Sequence, residues 1–287
     1  MGYGAWNDDL YRAQASYRRQ RREDDFGYSR QMLTKPRRQW RAAAELSPRG
    51  LQARQARDSA EHPRSTPIAV FFDVTGSMRR VPRLLQSRLS DLHALLVTVG
   101  VEDPQLLFGA VGDEEFDRVP LQIGQFESDN RMDDQLRQIL LEGGGGGDKC
   151  ESYALATYAM LAHTETDHWT RRGRKGHLFL IGDELNKPRL SARALREVFD
   201  QAPRPEFDGL DIPTLYRYAQ QRWHVHFVLP RGTSYFDDPQ VNAHWHGLLG
   251  DRFHKLDEPE LICELIAAMV GLTQRQESAR PVIGIGA

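Results

Sequence analysis

The five residues Ile68–Phe72 form an uninterrupted apolar run. A strand with one wet face alternates apolar and polar residues, so a run without alternation belongs to a strand covered on both faces. Covering both faces takes helices, which commits the chain toward an α/β arrangement. Leu106–Val111 and His177–Ile181 read the same way, and Trp223–Leu229 and Phe253–Leu256 as further strands. Between them the spacing turns helical. Leu85, Leu89, Leu92 and Leu96 share one face after Pro82, a residue suited to a helix start. Met132, Leu136, Ile139 and Leu140 mark another helix, and Ser152–Ala162, Ser191–Phe199, Thr214–Gln220 and Leu261–Leu272 complete the set. Val119, Leu121 and Ile123 alternate with Pro120, Gln122 and Gly124; Pro cannot donate to a ladder, so this is an edge strand. Its link to Leu106–Val111, Gly112–Arg118, is too short for a helical crossover, so the pair is expected to be antiparallel.

Charge divides the chain. Residues 1–65 carry 13 Arg and one Lys against 8 acidic residues, a formal +6, while the remainder carries −8. The first part has isolated aromatics among Arg and Gln, and Ala42–Leu46 is at most a short helix, so it reads as a basic arm. Residues 66–273 read as one domain and 274–287 as a tail. The arm's mixture suits phosphate attraction and base stacking. Asp8, Asp9, Glu23, Asp24 and Asp25 interrupt the patch, however, which favours a disordered or docking segment whose aromatics pack on the body. The formal net charge of −2 excludes a globally basic nucleic-acid binder. No stretch approaches the ~18 apolar residues of a membrane span, and Met1–Leu10 does not resemble a signal peptide. Two cysteines, Cys150 and Cys263, make no disulfide framework. A cytoplasmic protein is expected.

The chemistry is concentrated in Asp73-Val74-Thr75-Gly76-Ser77. A buried strand ends at a carboxylate, and hydroxyls follow at alternate positions, so three oxygens can converge at the strand's end. Hard divalent cations take such ligands, and open α/β sheets bind ligands beyond the carboxyl ends of their strands. The plainer account is a strand end with polar turn residues. Two other segments weigh against it. Gly182-Asp183-Glu184 puts a second carboxylate after a strand, and the glycine run Gly143–Gly147 leads into Asp148-Lys149-Cys150-Glu151 just before a helix.

On these residues the chain resembles the von Willebrand factor type A family. Asp73, Thr75 and Ser77 match the Asp-x-Ser-x-Ser element of its metal-ion-dependent adhesion site, with Thr at the second position, and Asp183 matches the final Asp. Asp148 falls where that family usually has Thr. The resemblance implies a Rossmann-like, doubly wound, mostly parallel sheet with one antiparallel edge strand and helices on both faces. It also implies Mg²⁺, with Mn²⁺ or Ca²⁺ as alternatives, in a site that accepts a ligand from a partner protein, and for intracellular bacterial members a AAA+ ATPase nearby. The metal set is then Asp73, Thr75, Ser77, Asp148 and Asp183. Glu151 already suits the start of a helix, where an acid contributes ~0.3–1 kcal/mol. Asp148 is therefore expected on the metal side, directly or through water, with Glu151 capping the helix or standing behind.

Enzyme readings fit less well. A haloacid-dehalogenase-type phosphotransferase would use Asp73 as nucleophile and need an acid two residues on, where Thr75 stands. The glycine run lacks Gly-Lys-Ser/Thr, and no Gly-x-Ser-x-Gly elbow occurs. His224 with His226, and His244 with His246 around Trp245, are better read as packed or surface histidines than as a zinc site. Asp113–Asp117 is expected at the same sheet edge as the metal. A non-enzymatic binding module is expected.

Overall fold

The computed structural model describes residues 4–144 and 147–279. The strands in chain order are β1 (Arg54–Ala56), β2 (Thr66–Asp73), β3 (Pro104–Val111), β4 (Leu121–Ile123), β5 (Cys150–Glu151), β6 (Thr164–Thr166), β7 (Gly176–Ile181), β8 (Leu185–Asn186), β9 (Trp223–Pro230) and β10 (Phe253–Leu256). Six of them form the main sheet, in spatial order β10-β9-β7-β2-β3-β4. All neighbours run parallel except β4, which pairs antiparallel with β3 through Gly109↔Ile123. The fold is the doubly wound α/β sheet with an antiparallel edge that the sequence leads one to expect.

β2 is buried at every position, and its side chains divide by parity as a pleated strand requires. Ile68, Val70 and Phe72 pack against the helices Arg80–Ser87, Leu89–Thr98 and Ile262–Ser278. Ala69 and Phe71 face the opposite layer, which holds Tyr153–Ala162, Ala192–Phe199, Ile212–Arg222 and Pro239–Leu249. From β2 the chain moves outward to β3 and β4, then returns to the other flank for β7, β9 and β10. The winding reverses between β2 and β7, the switch point where a crevice opens beyond the carboxyl ends.

Three expectations change. The single helix after Pro82 is two, Arg80–Ser87 and Leu89–Thr98, broken at Arg88 with ψ of 18°. The arm holds two α-helices, Asp8–Arg21 and Gly27–Leu33, where at most one short helix was expected; Ala44–Leu46 is a single 3-10 turn. Among the described residues its aromatics pack on the body except Tyr17, which is exposed. Tyr11 and Phe26 are buried, the Tyr11 hydroxyl donates to the Gln86 carbonyl, and β1 pairs with β6. The closing helix continues past residue 273 to Ser278, so the expected tail begins inside it; its end, Val282–Ala287, lies outside the described residues.

Candidate metal centre

Parallel pairing sets Phe72 beside Ile181, so β2 and β7 end side by side. Asp73 closes β2, and Asp183 follows two residues after β7; both are fully buried. Asp73 Oδ1 accepts from the Thr75 N–H at 2.6 Å, a turn that Asp side chains form readily. The turn brings Thr75 Oγ1 to 3.5 Å from Ser77 Oγ, and Ser77 Oγ donates to Asp183 Oδ1 at 3.1 Å. Asp183 Oδ2 accepts from the Ser234 N–H at 2.8 Å. The four residues Asp73, Thr75, Ser77 and Asp183 are thus brought together as the sequence predicts. Ser77 is half-buried and Gly76 exposed, so the cluster opens to solvent on that side.

The glycine run packs on this turn. Gly76 N–H donates to the Gly144 carbonyl and Gly143 N–H to the Val74 carbonyl, both at 3.0 Å. A Cβ on Gly144 would lie 2.3 Å from Asp117 Oδ1. Gly182 has a comparable reason: a Cβ there would lie 2.0 Å from the Tyr153 hydroxyl, which donates to Asp73 Oδ2 at 3.2 Å. Sequence reasoning did not single out Tyr153, because nothing local distinguishes it from a core tyrosine.

Asp148 is not turned toward the cluster as expected, and Glu151 does not cap a helix. Asp148 is exposed, with Oδ2 on Lys187 Nζ at 2.7 Å and Oδ1 accepting from the Cys150 N–H at 3.1 Å. Lys187 also pairs with Asp113 at 2.8 Å and Glu115 at 3.3 Å, which confirms the acidic turn at this sheet edge. Glu151 does not enter a helix. It lies on β5, paired with Asn186 of β8, and the helix starts at Tyr153. That pairing fixes which way Glu151 faces. It is fully buried, and neither carboxylate oxygen has a hydrogen-bond partner among the described residues.

The electrostatics follow from four buried carboxylates in one place. Burial pushes the Glu151 carboxyl up to about 11, and Asp73 and Glu184 add to it. Asp73 is raised well above the carboxylate range by burial, with Asp183 and Glu184 contributing. Asp183 is raised by burial, and Glu184 reaches about 7 by burial and the nearby Asp183. A buried carboxylate with no cationic or hydrogen-bonding partner is costly unless a proton or a cation neutralises it. Two hydroxyls and at least two carboxylates also match the donor preference of a hard divalent ion. The residues present therefore fit the ion. Among the described residues no three His, Cys, Asp or Glu side chains form a ready-made metal cage. The set here mixes carboxylates with hydroxyls.

His224, His226 and His244 are packed, and His246 is exposed. His226 Nδ1 lies 3.0 Å from His254 Nε2, His224 Nε2 lies 2.9 Å from Glu277, and His244 Nε2 meets Asn186 Nδ2 at 3.3 Å. Burial raises the pKa of the Cys150 thiol, which makes it a poor nucleophile.

No family model and no curated protein matches the sequence. Three solved structures resemble it in chain path. The pilus adhesin SpaC from Lactobacillus rhamnosus GG, open conformation, aligns with 74% of this chain at 10% identity and a TM-score of 0.45; the chain covers 30% of that protein's length. The von Willebrand factor type A structure from Catenulispora acidiphila aligns with 72% of this chain and 42% of its own, at 11% identity and a TM-score of 0.40. The vWF domain of the type V pili tip protein Mfa5 from Porphyromonas gingivalis aligns with 75% of this chain and 96% of its own, at 9% identity and a TM-score of 0.44.

Proposed function

We propose that residues 66–273 are a non-enzymatic protein-recognition module of the von Willebrand A type that works through a divalent cation at the β2/β7 switch point. Asp73, Thr75, Ser77 and Asp183 would hold Mg²⁺, or Mn²⁺ or Ca²⁺, and Glu151 would supply a further carboxylate. Asp148, engaged by Lys187, belongs to the rim. When bound, the cation supplies a coordination position open to an oxygen from a partner. The chain's own part is to hold Asp73 on the Thr75 N–H and Tyr153, to join Ser77 to Asp183, and to exclude water with the buried layer beneath. The observation that carries this reading is the convergence of Asp73, Thr75, Ser77 and Asp183 at the carboxyl ends of β2 and β7, with the buried Glu151 carboxyl, which has no hydrogen-bond partner among the described residues, in the same electrostatic field.

Asp73 and Asp183 already balance the charge of a divalent cation, and the buried Glu151 carboxyl would add negative potential to the site. The partner's group is then a neutral oxygen, such as a carbonyl or hydroxyl, in preference to a carboxylate. The resemblance to intracellular bacterial members supports a cytoplasmic assembly and a AAA+ ATPase as the partner class. The described residues contain no helix long and apolar enough to cross a membrane. A phosphotransferase using Asp73 is disfavoured, because Thr75 stands where an acid would be needed.

Calorimetric titration with Mg²⁺ and Mn²⁺ tests the reading. Saturable binding that is lost in Asp73→Ala is expected; equal affinity in the variant would overturn the site.

A further inference from the structure

At the opposite pole of the sheet, beyond the amino ends of β2 and β7, lies a cleft of about 600 Å³. It is separated from Asp73 by the length of β2, roughly 23 Å at ~3.3 Å per residue. Four guanidinium groups line it, from Arg64, Arg172, Arg174 and Arg275, together with His168 and a single carboxylate, Glu102.

The arginines are not equivalent. Arg172 is held rigidly: its two terminal nitrogens donate to Asp58 at 2.6 and 3.1 Å and to the Ser65 carbonyl at 2.9 Å. Its Nε is buried and has no acceptor among the described residues. Arg64 pairs with Glu102 at 2.9 Å. Arg174 and Arg275 have no side-chain hydrogen bond or ion pair among the described residues. Arg174 and Arg275 are thus the guanidinium groups of the cleft not taken up by a paired carboxylate, and Glu277, held by His224 at 2.9 Å, adds a further negative charge close to Arg174. The imidazole of His168 also lines the cleft. Burial, then Arg172, lowers it to about 4, and Arg174 adds to the shift, while its Nδ1 lies 3.0 Å from the Ser65 carbonyl.

We infer that this cleft binds a compact, multiply charged oxyanion of the phosphate class, with Arg174 and Arg275 as its primary ligands and Arg172 as a fixed donor beside them. Guanidinium groups recognise such oxygens by charge-assisted, often bidentate hydrogen bonds. The apolar lining is limited to Val99, Gly100, Gly271 and Ala279, so no aromatic platform exists for a nucleobase. The selected feature is the phosphate group itself, whether free or as the phosphate end of a nucleotide. This site is independent of the metal centre.

A bland account exists. The helices Leu89–Thr98 and Ile262–Ser278 end at this pole, and arginines near helix carboxyl ends offset the exposed carbonyls. That account requires no saturable anion binding, so titration separates the two. The probes are orthophosphate, pyrophosphate, tripolyphosphate and ATP, added to the full chain in metal-depleted buffer so that no metal complex of the probe reaches the other pole. One-site binding of pyrophosphate or tripolyphosphate is expected, weakened by added salt, and unchanged in Asp73→Ala. Arg174→Ala with Arg275→Ala should weaken it at least about tenfold. Arg275→Glu, at an exposed position on the last helical turn, should do so alone with the fold intact. ATP should bind no tighter than tripolyphosphate. Absence of saturable binding, or wild-type affinity in Arg275→Glu, would overturn the site. ATP binding more than tenfold tighter than tripolyphosphate would overturn the ligand class.

Discussion

Ser77 Oγ donates to Asp183 Oδ1 at 3.1 Å, joining residues 106 positions apart across the β2/β7 boundary. The bond shows that the two strand ends already form one donor cluster. Within it Asp73 contributes the charge nearest the strand end, whereas Thr75 and Ser77 contribute neutral oxygens. Asp73→Ala should therefore abolish Mg²⁺ and Mn²⁺ binding, and Thr75→Ala and Ser77→Ala should each weaken it by about one order of magnitude. Calorimetric titration reads this directly. Circular dichroism should be unchanged, since these residues sit at the sheet's edge and the core layers lie beneath them.

Lys187 separates rim from centre. Its ammonium, with 7% of the side chain exposed, neutralises Asp113 and Asp148 and lies near Glu115. Lys187→Met leaves these carboxylates without their cation and should destabilise the fold by about 3 kcal/mol. Asp148→Ala removes one exposed partner and should cost about 1 kcal/mol or less. Denaturant melts of both variants measure the costs. Asp148→Ala should change Mg²⁺ affinity by less than about threefold; a loss comparable to that of Asp73→Ala would return Asp148 to the metal.

The arm predicts in the same way. Tyr11 is 5% exposed, and its hydroxyl reaches the Gln86 carbonyl. Tyr11→Ala should cost about 3 kcal/mol, close to other large-to-small core changes. A chain cut before the helix Gly27–Leu33 should melt at a lower temperature. Equal melting temperatures would mean that the arm only rests on the body.

These helices also mark the limit of what the sequence makes legible. The central strands could be read because burial on both faces leaves uninterrupted apolar runs, as in Ile68–Phe72. The helix Asp8–Arg21 has no such mark, since it buries little beyond Tyr11 and Arg18, and Arg18 is held by Asp133 at 3.1 Å. Its signals were local: an Asn7 cap, Asp8 and Asp9 in the first turn, and arginines in the last. Pro239–Leu249 was missed for a related reason. Asn, two His and Gly weaken its helical propensity, and its Asp238 cap followed by Pro239 was the usable sign. In the site, Asp73, Thr75, Ser77 and Asp183 are legible because each closes a strand or follows one within a few residues. Glu151 is not, because its orientation depends on the pairing of β5 with β8, a contact between distant segments.

His168 sets the acid limb of stability. Its folded pKa, about 4, lies below the ordinary imidazole value of 6.5, with burial the leading cause. The unfolded chain therefore takes up a proton at a pH where the folded chain does not. Stability is full above pH 6.5 and falls as the pH drops toward 4. The difference amounts to about 3 kcal/mol for this group at one pKa unit per ~1.4 kcal/mol. His177 and His226, lowered well below 6.5 mainly by burial, act in the same direction. Urea melts between pH 7.5 and 4.5 should show the decline, and His168→Gln should flatten it. An equal slope in the variant would remove His168 from the account.

On the proposed reading, Glu151 decides what the centre accepts. Asp73 and Asp183 alone neutralise a divalent cation, and Glu151 makes the centre net negative. A partner's carboxylate would then be repelled by the same group that strengthens cation binding. Glu151→Thr removes that charge and leaves a hydroxyl that can still donate or accept. Two opposite changes are expected from the one substitution. Mg²⁺ affinity should fall by about one to two orders of magnitude, as for loss of a group that supports the metal's direct ligands. Affinity of the Mg²⁺-loaded protein for a carboxylate probe, such as a glutamate-bearing peptide, should rise. Glu151→Gln, which keeps the shape, should follow the same signs. Without metal, both variants should be at least as stable as the wild type, because each replaces a buried acid that has no hydrogen-bond partner among the described residues. Calorimetry for the ion, peptide anisotropy and thermal melts without metal give three readings. If Mg²⁺ affinity is unchanged while metal-free stability falls, Glu151 is a structural acid and the centre is formed by Asp73, Thr75, Ser77 and Asp183 alone.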